Sequence, residues 1–520
     1  MKANRPFLLL ILDGWGIAPA SKGNAINLAK TPVIDRLSKK YPHTTLCASG
    51  PCAGLPKNQV GNSEAGHMNI GSGRVVDQEE MIITESVDDG TFFRNPAFIE
   101  AVNHVKRNKT SLHIMGLLTY DQSPHADPEH LMAIIKLARQ HHLPKVVLHL
   151  FTDGRDSPQF AAIKIVKDLE KKLYSNEMIA TIMGRFYAMD RNKAWKRTEK
   201  AYNAMVLGKG IKAGSAEEAI LHAYNRKETD EYIQPTILMQ DHKPPQTIQN
   251  GDSIIFFNFR SDRARQITKA FVQKKFNKMN PGSFIRKKAL RDLRFIAMTD
   301  FGPDLDNVLT AFPSEDLEET LPMQLADLKQ LYTSESEKFA HVTYFFNGGY
   351  ADPVGGESRI MIPSPSVESY AEVPEMNIEK LTKAVLKHIK NDEFDFITCN
   401  FPNPDMVGHT GNLKAGIQAA EAVDKHTGLL VREVQAKNGK AIITADHGNL
   451  ENMINLKTQE VHTEHTTNPV PFIVVSQDSK GFSLGKKGIL ANIAPTILDL
   501  MERDIPKQMK SKSLIRKKAR

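Results

Sequence analysis

The sequence predicts an α/β fold with largely parallel sheets, and three observations lead there. Short apolar runs recur at 7–12, 112–118, 146–151, 178–183, 254–259, 293–298, 342–346, 394–401, 441–444 and 472–475, each closing in polar or glycine residues. Amphipathic segments of helix length lie between many of them, at 128–142, 159–174, 193–207, 262–275, 377–390 and 413–435. Continuous apolar strands alternating with helices are the pattern of parallel sheets covered on both faces. No run reaches the roughly 18 uninterrupted apolar residues of a spanning helix. The 520 residues allow two or three domains, each able to bury a core without disulfide or metal staples.

The first run, 7–12, stops at Asp13-Gly14. Lys2 and Arg5 before it and Ala18-Pro19-Ala20 after it imitate a secretory signal. Six residues are short for such a segment and right for a buried strand followed by a turn. It reads as the first strand of a sheet, and the protein as cytoplasmic. The later runs follow as strands, the segments between them as helices. Domain joints are expected near Val76-Asp77 and near Ala311-Pro313.

Composition excludes several classes. An apolar fraction of 41% and a charged fraction of 25% are globular values, not those of disordered or fibrous chains. The net charge of +8 suggests nucleic acid, but its distribution does not. From Lys507 onward the chain has seven Lys/Arg and no acid; the body holds 61 basic and 60 acidic residues. That tail reads as a solvated, frayed end, with a polyanion contact as the sharper alternative. Three cysteines, Cys47, Cys52 and Cys399, are an odd and sparse set, which suggests a reducing compartment. Cys47 and Cys52 lack the second pair of a zinc site and read as buried small hydrophobes.

The strand ends carry Asp13, Asp153 to Asp156, Arg185, Asn258 to Arg260, Asp300, Asp405 and Asp446-His447. In parallel sheets ligands bind beyond the carboxyl ends of strands, so this is where chemistry is expected. Asp405 and His409 stand four apart, on one face if helical; Asp446 and His447 follow a strand; His462 and His465 come about eighteen residues later. Oxygen and imidazole donors without thiolate suit divalent ions, Mn²⁺ above all, or Zn²⁺. Gly61-Asn-Ser63-Glu-Ala-Gly66-His67 looks like a tight strand-to-helix turn that presents a hydroxyl and free backbone N–H groups to an anion. A divalent ion would activate such a serine without a Ser-His-Asp triad.

Together with Leu9-Leu-Ile-Leu-Asp13-Gly-Trp-Gly, Asp153-Gly-Arg155-Asp156, Gly184-Arg185-Phe-Tyr-Ala-Met-Asp190-Arg191, Asn258-Phe-Arg260-Ser-Asp-Arg263 and Glu337-Lys338-Phe-Ala-His, these motifs resemble the cofactor-independent phosphoglycerate mutases, a branch of the alkaline phosphatase superfamily. The resemblance spans nearly the whole chain in order. It implies an alkaline-phosphatase-like sheet domain from both chain ends, 1–76 plus 313–520, with a second α/β domain, 77–312, inserted between them. It also implies interconversion of 3- and 2-phosphoglycerate, a glycolytic step, through phosphoserine at Ser63 and without 2,3-bisphosphoglycerate.

The same resemblance implies the ligand sets. One metal would sit on Asp405, His409 and His465, the other on Asp13, Ser63, Asp446 and His447, with His462 outside the first shell. The two ions are expected to be Mn²⁺. Substrate residues would be His125, Arg155, Asp156, Arg185, Arg191, Arg260, Arg263 and Lys338. Arginine forks match the phosphate and carboxylate of a phosphoglycerate. The expected partner is that small molecule alone, with neither nucleic acid nor membrane, and the expected state is a monomer whose inserted domain closes to exclude water.

Two stretches depart from the family pattern. A glycine-rich Ser-Asp-Gly-Gly-Val-His-Ser-His loop is replaced by Thr119-Tyr-Asp-Gln-Ser-Pro-His125-Ala-Asp, one residue longer, and Arg-Pro-Asp-Arg becomes Arg260-Ser-Asp-Arg263. A phosphatase or phosphopentomutase would use the same metals and nucleophile, but the arginine set argues for the mutase. A non-catalytic phosphate-binding protein would not need Ser63 with every metal ligand.

Overall fold

The computed structural model describes residues 6–120, 123–239, 244–313 and 317–517. The chain divides into two compact units, Met1–Gln78 with Glu315–Arg520, and Glu79–Ser314.

The first unit is built on an eight-stranded sheet. Its order is Ser358–Ile362, Gln330–Glu335, Phe396–Phe401, Phe7–Leu12, Lys440–Thr444, Val470–Val475, His43–Cys47, Lys487–Ile489. The first five run parallel; Val470–Val475 is antiparallel to both neighbours. Phe7–Leu12 lies at the centre and is buried throughout. A strand covered on both faces can be apolar at every position, which is why its six residues carry no polar alternation. The helices Ile378–Lys390 and Leu413–Ala436 pack their apolar faces on this sheet.

The second unit repeats the plan. Its order is Val308–Thr310, Arg294–Ala297, Ser253–Phe256, Leu112–Leu118, Val146–Thr152, Glu177–Gly184, Thr236–Leu238, Ile211–Ala213, parallel except where Glu177–Gly184 meets Thr236–Leu238. Helices Pro128–Gln140, Trp195–Leu207 and Ser261–Val272 cover it. Asp127 caps the first of these, its carboxylate accepting from Glu129 N at 2.7 Å, with Pro128 at the first helical position. Among the described residues no helix is long and apolar enough to cross a membrane.

Three expectations are corrected. The run 342–346 is helical, with a π-turn over His341–Phe345. Its β-branched and aromatic residues favour a strand, but Phe346 packs so closely on the helix Ser63–Ser72 that a Cβ on Gly71 would stand 1.9 Å from its carbonyl oxygen; tertiary packing overrides local preference. Cys47 and Cys52 are not separate buried hydrophobes: they form a disulfide and both are half-buried. The basic tail is not frayed as far as Lys517. Leu514 is buried, and Ile515–Lys517 pairs antiparallel with Phe482–Leu484.

Glu335, at the end of its strand, is fully buried and its carboxyl is pushed up to about 7 by burial, against hydrogen bonds from Asn377 N at 2.9 Å and from Ser364, and against the charge of Lys380. The folded protein therefore binds this proton more tightly than the unfolded chain. The resulting stabilisation is complete below about pH 4.5 and is lost as pH rises through about 7. Glu335→Gln removes that dependence. Relative to wild type its stability should gain with pH across this window, by about 3 kcal/mol at the top. Denaturant midpoints from pH 4 to 8 measure it; parallel curves for the two proteins would contradict the assignment.

Candidate metal centre and anion cluster

Four adjacent parallel strands of the first unit end at one place. Gln330–Glu335 leads into Lys338, Phe396–Phe401 into a helical turn with Asp405, Phe7–Leu12 into Asp13, and Lys440–Thr444 into Asp446 and His447. Ser63 opens the helix Ser63–Ser72, whose N-cap Asn62 accepts from Ala65 N at 2.9 Å. The helix can press on the centre only because small residues line it. A Cβ on Gly61 would lie 2.8 Å from His447 Cβ, and one on Gly66 2.8 Å from Asp446 Cβ.

The Ser63 hydroxyl is held tightly. Lys338 Nζ donates to its Oγ at 2.6 Å; Oγ lies 2.9 Å from His447 Nε2 and 3.3 Å from Asp13 Oδ1. Lys338 also pairs with Asp13 Oδ1 at 2.8 Å and Asp405 Oδ2 at 2.6 Å. Asp405 Oδ1 stands 3.1 Å from His465 Nε2 and 3.3 Å from His409 Nε2, and the two imidazole nitrogens are 3.0 Å apart. His447 Nε2 lies 3.5 Å from Asp13 and 3.6 Å from Asp446. Two groups have geometry to hold an ion: Asp405, His447 and His465; and Asp13, Asp446 and His447. The expected ligands are thus brought together, with His447 between both groups and His409 beside the first. His462 stands outside them; its backbone N donates to Met453 O at 2.9 Å.

The three histidines share one arrangement. His409, His447 and His465 turn Nδ1 toward the carbonyl oxygens of Thr463, Gly448 and Gly61, at 2.8, 3.3 and 2.8 Å. A carbonyl accepts only, so Nδ1 carries a proton in each ring and Nε2 is the nitrogen turned inward, where a metal would displace any proton it holds.

The electrostatics also call for cations. Asp13, Asp405 and Asp446 are buried, and burial, the largest single influence, opposes their ionisation; Lys338 together with His447 at Asp13, and with His409, His465 and His447 at Asp405, more than offsets it and holds both below the usual carboxylate range. His447, penalised by burial but facing Asp446 first, is pushed up to about 9. One ammonium and one imidazolium do not balance three carboxylates in a buried site. Divalent ions fit these donors by charge and by type.

Residues not anticipated from sequence support the ligands. Asn400 Nδ2 donates to Asp13 Oδ2 at 2.7 Å and touches His67 Nε2 at 3.0 Å; Asn449 Nδ2 donates to Asp405 Oδ1 at 2.9 Å. The Glu451 carboxylate is buried and accepts from Gly16 N at 3.2 Å, Asn449 N at 2.8 Å, Asn468 Nδ2 at 2.9 Å and Thr466 Oγ1. It ties together the loops that bear Asp13, His447 and His465. Its position two residues past Asn449 was the only signal for it in the sequence. Glu451→Ala should weaken divalent-ion binding about 10- to 100-fold, the usual effect of outer-shell loss. Titration of stripped protein with Mn²⁺ measures this; unchanged affinity would show that the loops hold without it.

The second unit gathers the remaining predicted residues, again at strand ends. Arg185 follows Glu177–Gly184, is buried, and donates through Nη1 to Asp153 Oδ1 at 2.6 Å and Asp156 Oδ2 at 2.7 Å. Asp153 also accepts from the backbone N of Arg155 and Asp156, both at 3.1 Å, shaping their loop. Arg191 Nη1 pairs with Asp262 Oδ2 at 2.6 Å; Arg260 Nε and His125 Nδ1 stand 3.5 and 4.0 Å from its Oδ1. Burial first, then Arg185, pushes His125 down to about 4, so its ring is neutral near pH 7. Arg155, Arg185, Arg191 and Arg263 line one cleft of about 340 Å³, together with the unforeseen Arg197, which pairs with Asp190 at 3.1 Å. Burial, Arg185 and Arg191 all lower the pKa of Arg263: a cation crowded by cations is where an anion gains most. Lys338 does not belong here; it sits in the metal centre. Asp121 and Gln122 of the altered loop lie outside the described residues.

The comparisons with known proteins agree with this geometry. The family model of the Metalloenzyme superfamily matches residues 5–505. A 2,3-bisphosphoglycerate-independent phosphoglycerate mutase from Clostridium kluyveri is 46% identical over 516 residues, 98% of this chain and 99% of the relative. Another, from Clostridioides difficile, is 47% identical over 517 residues, 99% of each. The solved structure of Leishmania mexicana phosphoglycerate mutase at low cobalt concentration is 29% identical, covering 99% of this chain and 98% of that one with a TM-score of 0.75. The α/β fold and a divalent-metal centre follow. The chain belongs to the Metalloenzyme superfamily and, within it, to the family of the 2,3-bisphosphoglycerate-independent phosphoglycerate mutases.

Proposed function

We propose that the chain interconverts 3-phosphoglycerate and 2-phosphoglycerate by parking the phosphoryl group on Ser63. The observation that carries this reading is the setting of Ser63 Oγ: at a helix N-terminus, 2.6 Å from the Lys338 ammonium, among buried metal-type ligands. In the reading, Asp405, His409 and His465 hold one divalent ion and Asp13, Ser63, Asp446 and His447 a second, both Mn²⁺. When bound, such ions lower the pKa of the serine hydroxyl and neutralise charge on phosphoryl oxygens.

The residues of the chain do the rest. Ser63 Oγ gives up its proton and bonds to phosphorus; the bond to the C3 oxygen of the substrate breaks, and that oxygen takes up a proton to leave glycerate. The 2-hydroxyl of the glycerate then gives up its proton and attacks the phosphoserine; the Oγ–phosphorus bond breaks, and Ser63 Oγ takes a proton back. Lys338 donates to the phosphoryl oxygens as charge builds. The arginines take the carboxylate through paired N–H bonds. In this reading Asp156, which accepts from Arg185 and from Ser123 Oγ at 3.0 Å, and the neutral ring of His125 receive and return the hydroxyl proton.

The test is an enolase-coupled assay on chelator-stripped protein with Mn²⁺ restored and no 2,3-bisphosphoglycerate. Activity is expected to return with metal alone. A requirement for the bisphosphate would overturn the phosphoserine route, and phosphate release faster than isomerisation would make the protein a phosphatase.

A further inference from the structure

We propose that Cys47 and Cys52 form a redox switch that tunes the metal centre from behind, operated by a small anionic monothiol entering the cleft beside them. The pair is bonded with its Cα atoms 5.9 Å apart. Cys47 ends the strand His43–Cys47, and Cys52 lies in the turn Gly50–Ala53. Both are half-buried and line a cleft of about 600 Å³, with Thr45, Thr467, Lys487 and Asn492 among the other walls. A thiol can therefore reach the sulfurs, and the Lys487 ammonium favours one that carries a carboxylate. Cys399 offers no such access; it is fully buried, and burial pushes its thiol up.

The bridged segment is coupled to the ligands by contact. Ser49 Oγ donates to Thr467 O at 3.1 Å, and Gly50 N donates to Gln59 O at 2.9 Å. A Cβ on Gly61 would fall 2.2 Å from Ala48 O and 2.8 Å from His447 Cβ, so Ala48, Gly61 and His447 are stacked without space between them. The carbonyl of that same Gly61 fixes His465 through Nδ1 at 2.8 Å. The disulfide thus stiffens the backbone against which two of the metal-centre histidines are aimed.

Opening it is thiol–disulfide exchange. The thiolate of the monothiol attacks one sulfur of the bridge, forming a mixed disulfide and expelling the other cysteine as thiolate. A second thiolate attacks the outer sulfur of the mixed disulfide; the small disulfide leaves, and the second cysteine is freed. Two electrons pass from the two monothiols to the cysteine sulfurs, which take up two protons. The small disulfide drives the same reaction backward.

The inference rests on His447 and His465 as metal ligands, but its first measurement does not. Full-length protein is held in oxidised or in reduced glutathione and alkylated without denaturant. Cys47 and Cys52 should be labelled only in the reduced sample, and Cys399 in neither. Stripped protein in each state is then titrated with Mn²⁺ alone; the reduced form should bind about tenfold more weakly, within the usual range of coupled sites. Oxidised glutathione should reverse this, and the double variant Cys47→Ser/Cys52→Ser should match the reduced form in either buffer. Labelling of both cysteines after oxidised glutathione, or equal Mn²⁺ affinity in the two states of the wild-type protein, would overturn the proposal. Absence of mutase activity in the oxidised, Mn²⁺-loaded protein, with neither of these results, would count against the functional reading instead.

Discussion

Ser63→Ala is expected to lower mutase activity by about four orders of magnitude or more while leaving the fold intact. Ser63 is the first residue of its helix, where alanine is well tolerated, and the cap comes from the Asn62 side chain, which the substitution does not touch. The arginine cluster is unaltered, so substrate still binds. What disappears is the acceptor, together with the oxygen that Lys338 and His447 hold at 2.6 and 2.9 Å. Groups that act as one unit lose nearly everything when the nucleophile goes, and the remainder reflects binding and charge alone. The drop should therefore fall on kcat, with KM little changed. The coupled assay with saturating Mn²⁺ reads both, and an unchanged circular dichroism spectrum would establish the fold. A variant that kept a tenth of the activity would show that another group accepts the phosphoryl.

The carboxylates of the candidate site left a plainer trace in the sequence than some of the strands around them. Asp13 and Asp446 follow directly on apolar runs and Asp405 stands four residues past one, and a carboxylate at the end of a buried strand has few structural reasons to be there. The strand Gln330–Glu335 left no such trace. Only Leu331 and Tyr332 are apolar in it, yet every residue is buried. Its polar groups are satisfied internally: Gln330 Nε2 donates to Pro322 O and Leu325 O, both at 3.0 Å, Tyr332 OH to Gln330 Oε1 at 2.6 Å, and Thr333 Oγ1 to Ile360 O at 2.7 Å. Buried polar residues made acceptable by specific partners rather than by an apolar pattern cannot be recognised by periodicity. Glu451 and Asn400 are harder still, since the groups they hold, Gly16 and Asp13, lie hundreds of residues away. The cysteine pair fails differently: a five-residue spacing says nothing about whether two side chains face each other, which the turn at Gly50–Ala53 decides.

Lys338→Met should separate the two duties of the metal centre. In stripped wild-type protein the Lys338 ammonium is bonded to Asp13 and Asp405 and is kept charged: burial alone would lower its pKa, but those carboxylates raise it well above the usual lysine range. Methionine keeps the length and apolar stem and removes the charge. The stripped variant is then left with buried carboxylates facing one another, and removal of one partner from a buried ion pair costs about 3–5 kcal/mol. Divalent ions that bind only the folded state return stability as their concentration rises above Kd, by about 2.7 kcal/mol at a hundredfold excess. Catalysis should not return with it. Developing charge on the transferring phosphoryl oxygens loses a fixed donor, and the loss of one such donor lowers kcat by about 10² to 10³. Thermal unfolding with and without Mn²⁺, alongside kcat at saturating Mn²⁺, gives the contrast: stability largely recovered, turnover not. Full recovery of both would make Lys338 a placeholder for metal charge. Failure of Mn²⁺ to restore stability would mean that the carboxylates are not metal ligands at all.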